Sequence, residues 1–256
     1  MGRQGSGHPD DRLVAGLHPV RELLRAGRAL RSIAIADGRD QTDVVADIIA
    51  LAADAGVPVA TRPRRELDDA AGSLVHQGVV AWGPPFPHLG LSALSDLVER
   101  IEGPALLVAL DGVTDPHNVG SIARTTEAVG GHALIVPARR AAGVTPAAEK
   151  AAAGALAHLP VAKVPNLAQA LKALSEQGLW SVGLEAEAPE PITSCRVLTD
   201  PLVLVVGSEG AGLARLSRVT CDVLAHLPMR GRVGSLNASV AAGIALYEVH
   251  WRRQVS

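Results

Sequence analysis

Between residues 105 and 227 six short apolar runs recur, at 105–110, 133–136, 161–164, 180–184, 202–206 and 223–227, with helix-patterned segments between them. Runs this short that are apolar at successive positions read as strands covered on both faces, and strands separated by helices pair in parallel. The intervening segments carry helix start signals: Thr145 followed by Pro146, Asn166 before LAQALKAL, and Asn237 before ASVAAGIALYEV. A short side-chain oxygen there can accept a hydrogen bond from an unsatisfied backbone N–H of the first turn. This half therefore predicts a mostly parallel α/β sheet.

The chain before it has a looser alternation. Pro19 stands at a helix start, with Val20, Leu23 and Leu24 on one face; residues 32–36 read as a strand. Residues 42–55 place Val45, Ile48, Ile49 and Ala52 on one helical face, which Gly56 can end in the left-handed conformation. Further strands are expected at 57–61 and 79–82, giving a small α/β layer of about 70 residues, near the lower bound for a self-standing domain. The segment GPPFPHLG at 83–90 holds three prolines and two glycines in eight residues, a composition that helix and sheet interiors reject. A short helix is expected at 92–100, and Pro104 opens the second unit. The expected division is 12–82, a linker at 83–103, and 104–253.

Composition removes several classes. No apolar run approaches the ~20 residues of a membrane helix, and MGRQGSGHPDDR lacks the apolar core of a signal peptide. Cys195 and Cys221 are the two cysteines, so the expectation is a cytoplasmic protein with free, buried thiols. A net charge of −2 gives no global footprint for nucleic acid. Local basic clusters exist at Arg62, Arg64 and Arg65, at Arg139 and Arg140, and at Arg230 and Arg232; alone, each reads as a solvated loop face.

Three segments carry chemistry. DGVTDPHNVGSIARTTE at 111–127 follows the first strand of the sheet, where ligand crevices form in open α/β folds. Asp115 and Pro116 fit a turn and Asn118 fits a helix cap. Arg124 interrupts the small and apolar stretch VGSIARTTEAVG, so it either pairs with Glu127 or Glu209 as structural glue or binds an anion such as a phosphate. GSEGAG at 207–212 has the spacing G-x-x-G-x-G, not the dinucleotide pattern G-x-G-x-x-G. It is a turn with positive φ at Gly210 or Gly212, or a loop on which a backbone approaches an adenosine-type ligand. In LPMRGRVGSLNASVAAG at 227–243, Gly231 and Gly234 allow a wrapping loop, Ser235 adds a hydroxyl, and Asn237 is a cap or a site amide. There is no H-E-x-x-H, no G-x-S-x-G and no P-loop, and Cys221 with His226 is too few ligands for zinc.

In this order and at these spacings, the three segments resemble the three motifs of the SpoU (TrmH) family of RNA ribose 2′-O-methyltransferases. GLHPVRELL at 16–24 and HQGVVA at 76–81 resemble the family's L30e-like substrate-binding domain. The resemblance implies an α/β protein whose C-terminal parallel-sheet (SPOUT) domain is tied in a trefoil knot, against the usual rule that chains do not thread. It implies a homodimer that binds S-adenosylmethionine at Gly207, Glu209, Gly210, Leu227, Met229 and Leu236, with Asn118, Arg124, Glu209, Ser235 and Asn237 as the catalytic set. No metal is implied. The branch it points to methylates a guanosine ribose in the peptidyl-transferase region of 23S rRNA; tRNA and antibiotic-resistance enzymes share the motifs.

The reaction so implied moves a methyl group in line from a sulfonium to a 2′-hydroxyl, which demands alignment and help with the proton. A guanidinium, with a reference pKa of about 12.5 to 13.8, is a poor base and a good anion clamp. Asn118 and Glu209 would then orient Arg124 and the loops. Two competing classes remain on the sequence. A non-catalytic RNA-binding assembly factor would have no need to keep all five polar positions. A nucleotide-dependent oxidoreductase would need the missing phosphate-binding glycines and an acidic residue about 20 positions on.

Overall fold

The computed structural model describes residues 11–139, 141–232 and 234–255; the Arg140 reading falls outside them. The N-terminal unit is built from β1 (Arg12–Ala15), α1 (Leu17–Arg25), β2 (Ser32–Ala36), α2 (Asp43–Asp54), β3 (Val59–Arg62), α3 (Arg64–Ala71) and β4 (Val79–Gly83). Its sheet has the order β1-β4-β2-β3, antiparallel except for the β2–β3 pair. Val20, Leu23 and Leu24 of α1 and Val45 and Ile48 of α2 pack on one face of it, as their spacing predicts. Ile49 is the exception, 39 % exposed on the rim of that face. Arg64 and Arg65 begin a helix instead of lying in a loop, and both are exposed.

The proline-rich connector does more than join. Gly83 closes β4, and β5 (His88–Leu89) adds a two-residue parallel edge to the second sheet beside β8 (Val161–Val164). The prolines at 84, 85 and 87 fall between β4 and β5, outside both strands, where no ladder needs their N–H groups.

The second unit continues with α4 (Leu91–Glu99), β6 (Leu106–Asp111), α5 (Pro116–Ala128), β7 (Ala133–Pro137), α6 (Pro146–Ala151) and β8. Then come α7 (Leu167–Glu176), β9 (Trp180–Leu184), β10 (Glu190–Pro191), β11 (Leu202–Gly207), α8 (Arg215–Thr220), β12 (Val223–His226) and α9 (Ala238–Gln254). Every pairing in its sheet is parallel, in the order β10-β12-β9-β11-β6-β7-β8-β5. Alternate residues of β6 enter two cores: Leu106, Val108 and Leu110 meet α5 and α9, while Leu107 and Ala109 meet α4 and α7. Thr145, Asn166 and Asn237 all cap their helices through side-chain oxygens. No helix among the described residues is long and apolar enough to cross a membrane.

The order of strands reverses at β6. From there the chain proceeds outward to β7 and β8, then returns to lay β9, β11 and β12 on the other side. Such a switch point leaves a crevice at the carboxyl ends of the strands, and here Gly207 at the end of β11 is in register with Asp111 at the end of β6.

The two units meet through α6 and the turn at Ala155–Ala157 that follows it. Arg12 Nε of β1 lies 3.7 Å from Glu149 Oε1, Lys150 Nζ donates to Gln77 Oε1 at 2.9 Å, and Arg28 Nε donates to the Ala157 carbonyl at 2.9 Å. Burial pushes Glu149 up to about 7, against the opposing pull of Arg12; the desolvation of the carboxylate outweighs its one ion pair. A carboxyl with a raised pKa in the folded state holds a proton that the unfolded chain has already lost between about 4.5 and about 7. Its contribution to stability is therefore greatest below that window and falls as pH rises through it. Thermal melts across the window should show Glu149→Gln flattening that fall; a slope identical to the parent would remove Glu149 as its source.

Candidate active site

Next to the switch point, over the carboxyl ends of β9, β11 and β12, lies a cleft of about 500 Å³, within the range of small-molecule sites. Three loops wall it. The first, after β9, supplies Leu184 to Glu187; the second, after β11, supplies Gly207 to Gly212; the third, after β12, supplies Leu227, Met229 and Gly234 to Leu236. Ala238 and Ala241 of α9 form its floor with Val206 and Ala225.

The glycine loop folds back on itself. Ser208 and Gly212 exchange two backbone hydrogen bonds of 3.0 Å, and Gly210 and Gly212 both take positive φ, so the turn and the ligand-facing loop are the same object. A Cβ on Gly207 would sit 2.4 Å from the Gly212 carbonyl carbon, which leaves no room for any other residue. Asp111 fixes the loop's far end by accepting a hydrogen bond from the Ala214 N–H at 2.6 Å.

All six positions expected to hold the cofactor, Gly207, Glu209, Gly210, Leu227, Met229 and Leu236, line this cleft, as does Ser235. Asn118 and Asn237 stand beside it, joined through Glu209. The Asn118 side-chain amide donates to Glu209 Oε1 at 2.9 Å, Asn237 donates to Asn118 Oδ1 at 3.0 Å, and Asn237 also donates to Glu209 Oε1. The Ala238 N–H completes the carboxylate's partners at 3.4 Å. Meanwhile Asn237 Oδ1 caps α9 by accepting from the N–H groups of Ser239 and Val240. Cap and site amide are thus one residue using its two ends. The cap of α5 is Asp115, not Asn118, with Pro116 in the first turn; this frees the 5 %-exposed Asn118 side chain for the network.

Arg124 lies outside that network. It is exposed on α5 and makes no hydrogen bond or ion pair with any described residue, so neither Glu127 nor Glu209 holds it. The expectation that Asn118 and Glu209 orient it fails for a plain reason: they satisfy each other and Asn237. What remains for Arg124 is an unpaired guanidinium facing solvent, ready for an anion.

Sequence reasoning missed the loop after β9. Glu185 and Glu187 bring carboxylates to the cleft, and Glu185 Oε2 lies 3.1 Å from Arg218 Nε. GLEAEA carries no glycine signature; only the adjacency of β9 to β11 exposes it. Cys221 lies behind the cleft with its thiol pushed up to about 12 by burial, then by Asp222, Asp111 and Glu185. It is protonated at neutral pH and no nucleophile.

The profile of the SpoU rRNA Methylase family matches residues 105–247, more than half of the chain. The chain belongs to that family. The profile for RNA 2′-O ribose methyltransferase substrate binding matches residues 13–87. Among curated relatives, the 23S rRNA (guanosine-2′-O-)-methyltransferase RlmB of Pseudomonas putida is 44 % identical over 243 residues, covering 94 % of this chain and 97 % of the relative. RlmB of Pseudomonas aeruginosa is 46 % identical over 237 residues, 92 % of this chain and 94 % of the relative. Among solved structures, the SpoU methyltransferase AviRb of Streptomyces viridochromogenes in complex with AdoMet superposes with a TM-score of 0.80 at 25 % identity, covering 100 % of this chain and 95 % of that one. This chain is a SpoU-family RNA ribose 2′-O-methyltransferase, and its family is S-adenosylmethionine-dependent.

The cleft suits that donor. Its floor of Val206, Ala225, Ala238 and Ala241 is apolar, Gly207, Gly210, Gly212 and Gly234 leave backbone uncovered in its walls, and Glu185, Glu187 and Glu209 supply negative charge for a cationic ligand.

Proposed function

We propose that this enzyme methylates the ribose 2′-hydroxyl of a guanosine in the peptidyl-transferase region of 23S rRNA. The near-full-length identity to the two RlmB relatives supports that target. The observation that carries the catalytic assignment is the Asn118–Glu209–Asn237 network, which ties the three motif segments together beside the cleft while leaving Arg124 free. S-adenosylmethionine, bound across Gly207, Glu209, Gly210, Leu227, Met229 and Leu236, supplies a methyl group activated on a sulfonium. The protein does the rest. Glu209 fixes the ends of α5 and α9 against the glycine loop, and Ser235 shapes the nucleotide side of the pocket. Arg124 clamps the neighbouring phosphate and stabilises the developing alkoxide, with the proton leaving to phosphate or water.

On this reading residues 12–82 bind RNA and residues 104–253 transfer the methyl group, in the cytoplasm where ribosomes are made. The basic side chains Arg139, Arg230 and Arg232, all exposed, lie on loops of the second unit and suit the RNA backbone. The trefoil knot belongs to the same proposal, supported by a cleft whose walls are the loops after β9, β11 and β12 with α9 packed beneath.

A homodimer is also proposed. Along α9, Val240, Ile244, Tyr247 and Trp251 recur at helical spacing and are 46 to 60 % exposed, an apolar stripe with nothing described in the chain to cover it. Sedimentation should give a dimer for the parent and a monomer for Tyr247→Glu/Trp251→Glu; a monomeric parent would end this part of the proposal.

The target is tested by incubating the protein with radiolabelled S-adenosylmethionine and undermodified 23S rRNA, then mapping ribose methylation by reverse-transcription stops. One 2′-O-methylguanosine in the peptidyl-transferase region is expected. Methylation of tRNA alone, or of another rRNA site, would overturn the target while keeping the chemistry.

A further inference from the structure

Arg12 is the first residue of the N-terminal sheet, yet its side chain is spent on the second unit. It is 11 % exposed, its guanidinium lies 5.2 Å over the ring of Phe86 in the connector, and its Nε faces Glu149 of α6. Nε and Nη1 have no hydrogen-bond partner, an expensive arrangement for a buried cation. Glu149 is only 5 % exposed. Beside this cluster Lys150 bonds to Gln77, which is held at a φ of 54°, a left-handed conformation rarely taken by side-chain-bearing residues. On its opposite side α6 is seated backbone to backbone on α5. A Cβ on Gly120 would come within 2.3 Å of the Ala148 carbonyl oxygen and 2.8 Å of the Ala152 nitrogen. Gly120 is two residues from Asn118 and four from Arg124.

We propose that α6 positions the reacting end of α5, and that Arg12 and Glu149 are positioning residues which transmit the docking of the substrate-binding unit to Asn118 and Arg124. This rests on the catalytic reading of α5 given above. The connector is then a clasp: Phe86 closes over the guanidinium and fixes one arrangement of the two units. None of the cleft-lining residues belongs to α5 or α6, and the clasp reaches the cleft only through the bond from Asn118 to Glu209, so turnover depends on it far more than cofactor binding does.

The test is steady-state kinetics of the full chain on 23S rRNA with a parallel titration of S-adenosylmethionine. For Arg12→Ala, kcat should fall about tenfold with the cofactor Kd within about twofold of the parent, the size of coupling carried by contiguous packing. Arg12→Lys, which keeps a cation over the ring, should recover most of the loss. Phe86→Leu serves if Arg12→Ala does not fold, with the same direction expected. A raised KM for RNA at unchanged kcat would show that the clasp only tethers the domain, and would overturn the proposal, as would parental kinetics in both variants. An inactive parent that binds cofactor would instead sink the functional reading itself.

Discussion

Replacing Arg124 by alanine is expected to lower methyl transfer by at least about a hundredfold, the scale of losing a charged stabiliser of a developing oxyanion, while S-adenosylmethionine binds as before. The structure separates these two quantities. Arg124 does not line the cleft and, among the described residues, has no hydrogen-bond or ion-pair partner whose loss would disturb the fold. Single-turnover transfer on saturating RNA reads the first quantity and calorimetric titration of the donor reads the second. Arg124→Lys distinguishes clamp from point charge: a bidentate grip on phosphate is lost with the planar fork, so lysine should restore only a small part of the rate. An unchanged rate in Arg124→Ala would remove the residue from the mechanism.

Gly207→Ala should nearly abolish donor binding. The added methyl would occupy space held by the carbonyl carbon and oxygen of Gly212, at 2.4 and 2.5 Å, and neither is the movable end of a side chain. The loop must open, breaking the Ser208–Gly212 pair and displacing Glu209 from both asparagines. Since backbone groups of this loop line the cleft, affinity should fall by at least about a hundredfold, or about 3 kcal/mol. Calorimetry with S-adenosylmethionine decides it; parental affinity would mean that the loop is not where the donor binds.

The second unit was far more legible in the sequence than its site. Its six longer strands are mostly apolar runs separated by helix-patterned segments, the alternation that a parallel sheet covered on both faces produces, and the caps Thr145, Asn166 and Asn237 mark helix starts by local chemistry alone. β5 and β10 were illegible because two-residue strands owe their existence to the neighbour they pair with. The same holds for the carboxylates after β9. By contrast Arg124 was visible as a lone charge among small residues, but its freedom was not: whether Glu209 reaches it or reaches Asn118 is settled by the placement of three loops. For Asn237 the sequence offers cap or site residue as alternatives, whereas an amide has an acceptor and a donor end and here uses both.

The strand order also fixes when this enzyme can exist. Leu106 pairs with Leu202, nearly a hundred positions on, and the cleft waits for β12 and the start of α9 before its third wall is present. Pairings so distant close slowly and late. As the ribosome extrudes the chain, the N-terminal unit has all its strands before β6 appears, while the cleft is assembled from segments between residues 184 and 241. A nascent chain can therefore fold its N-terminal unit well before the cleft exists.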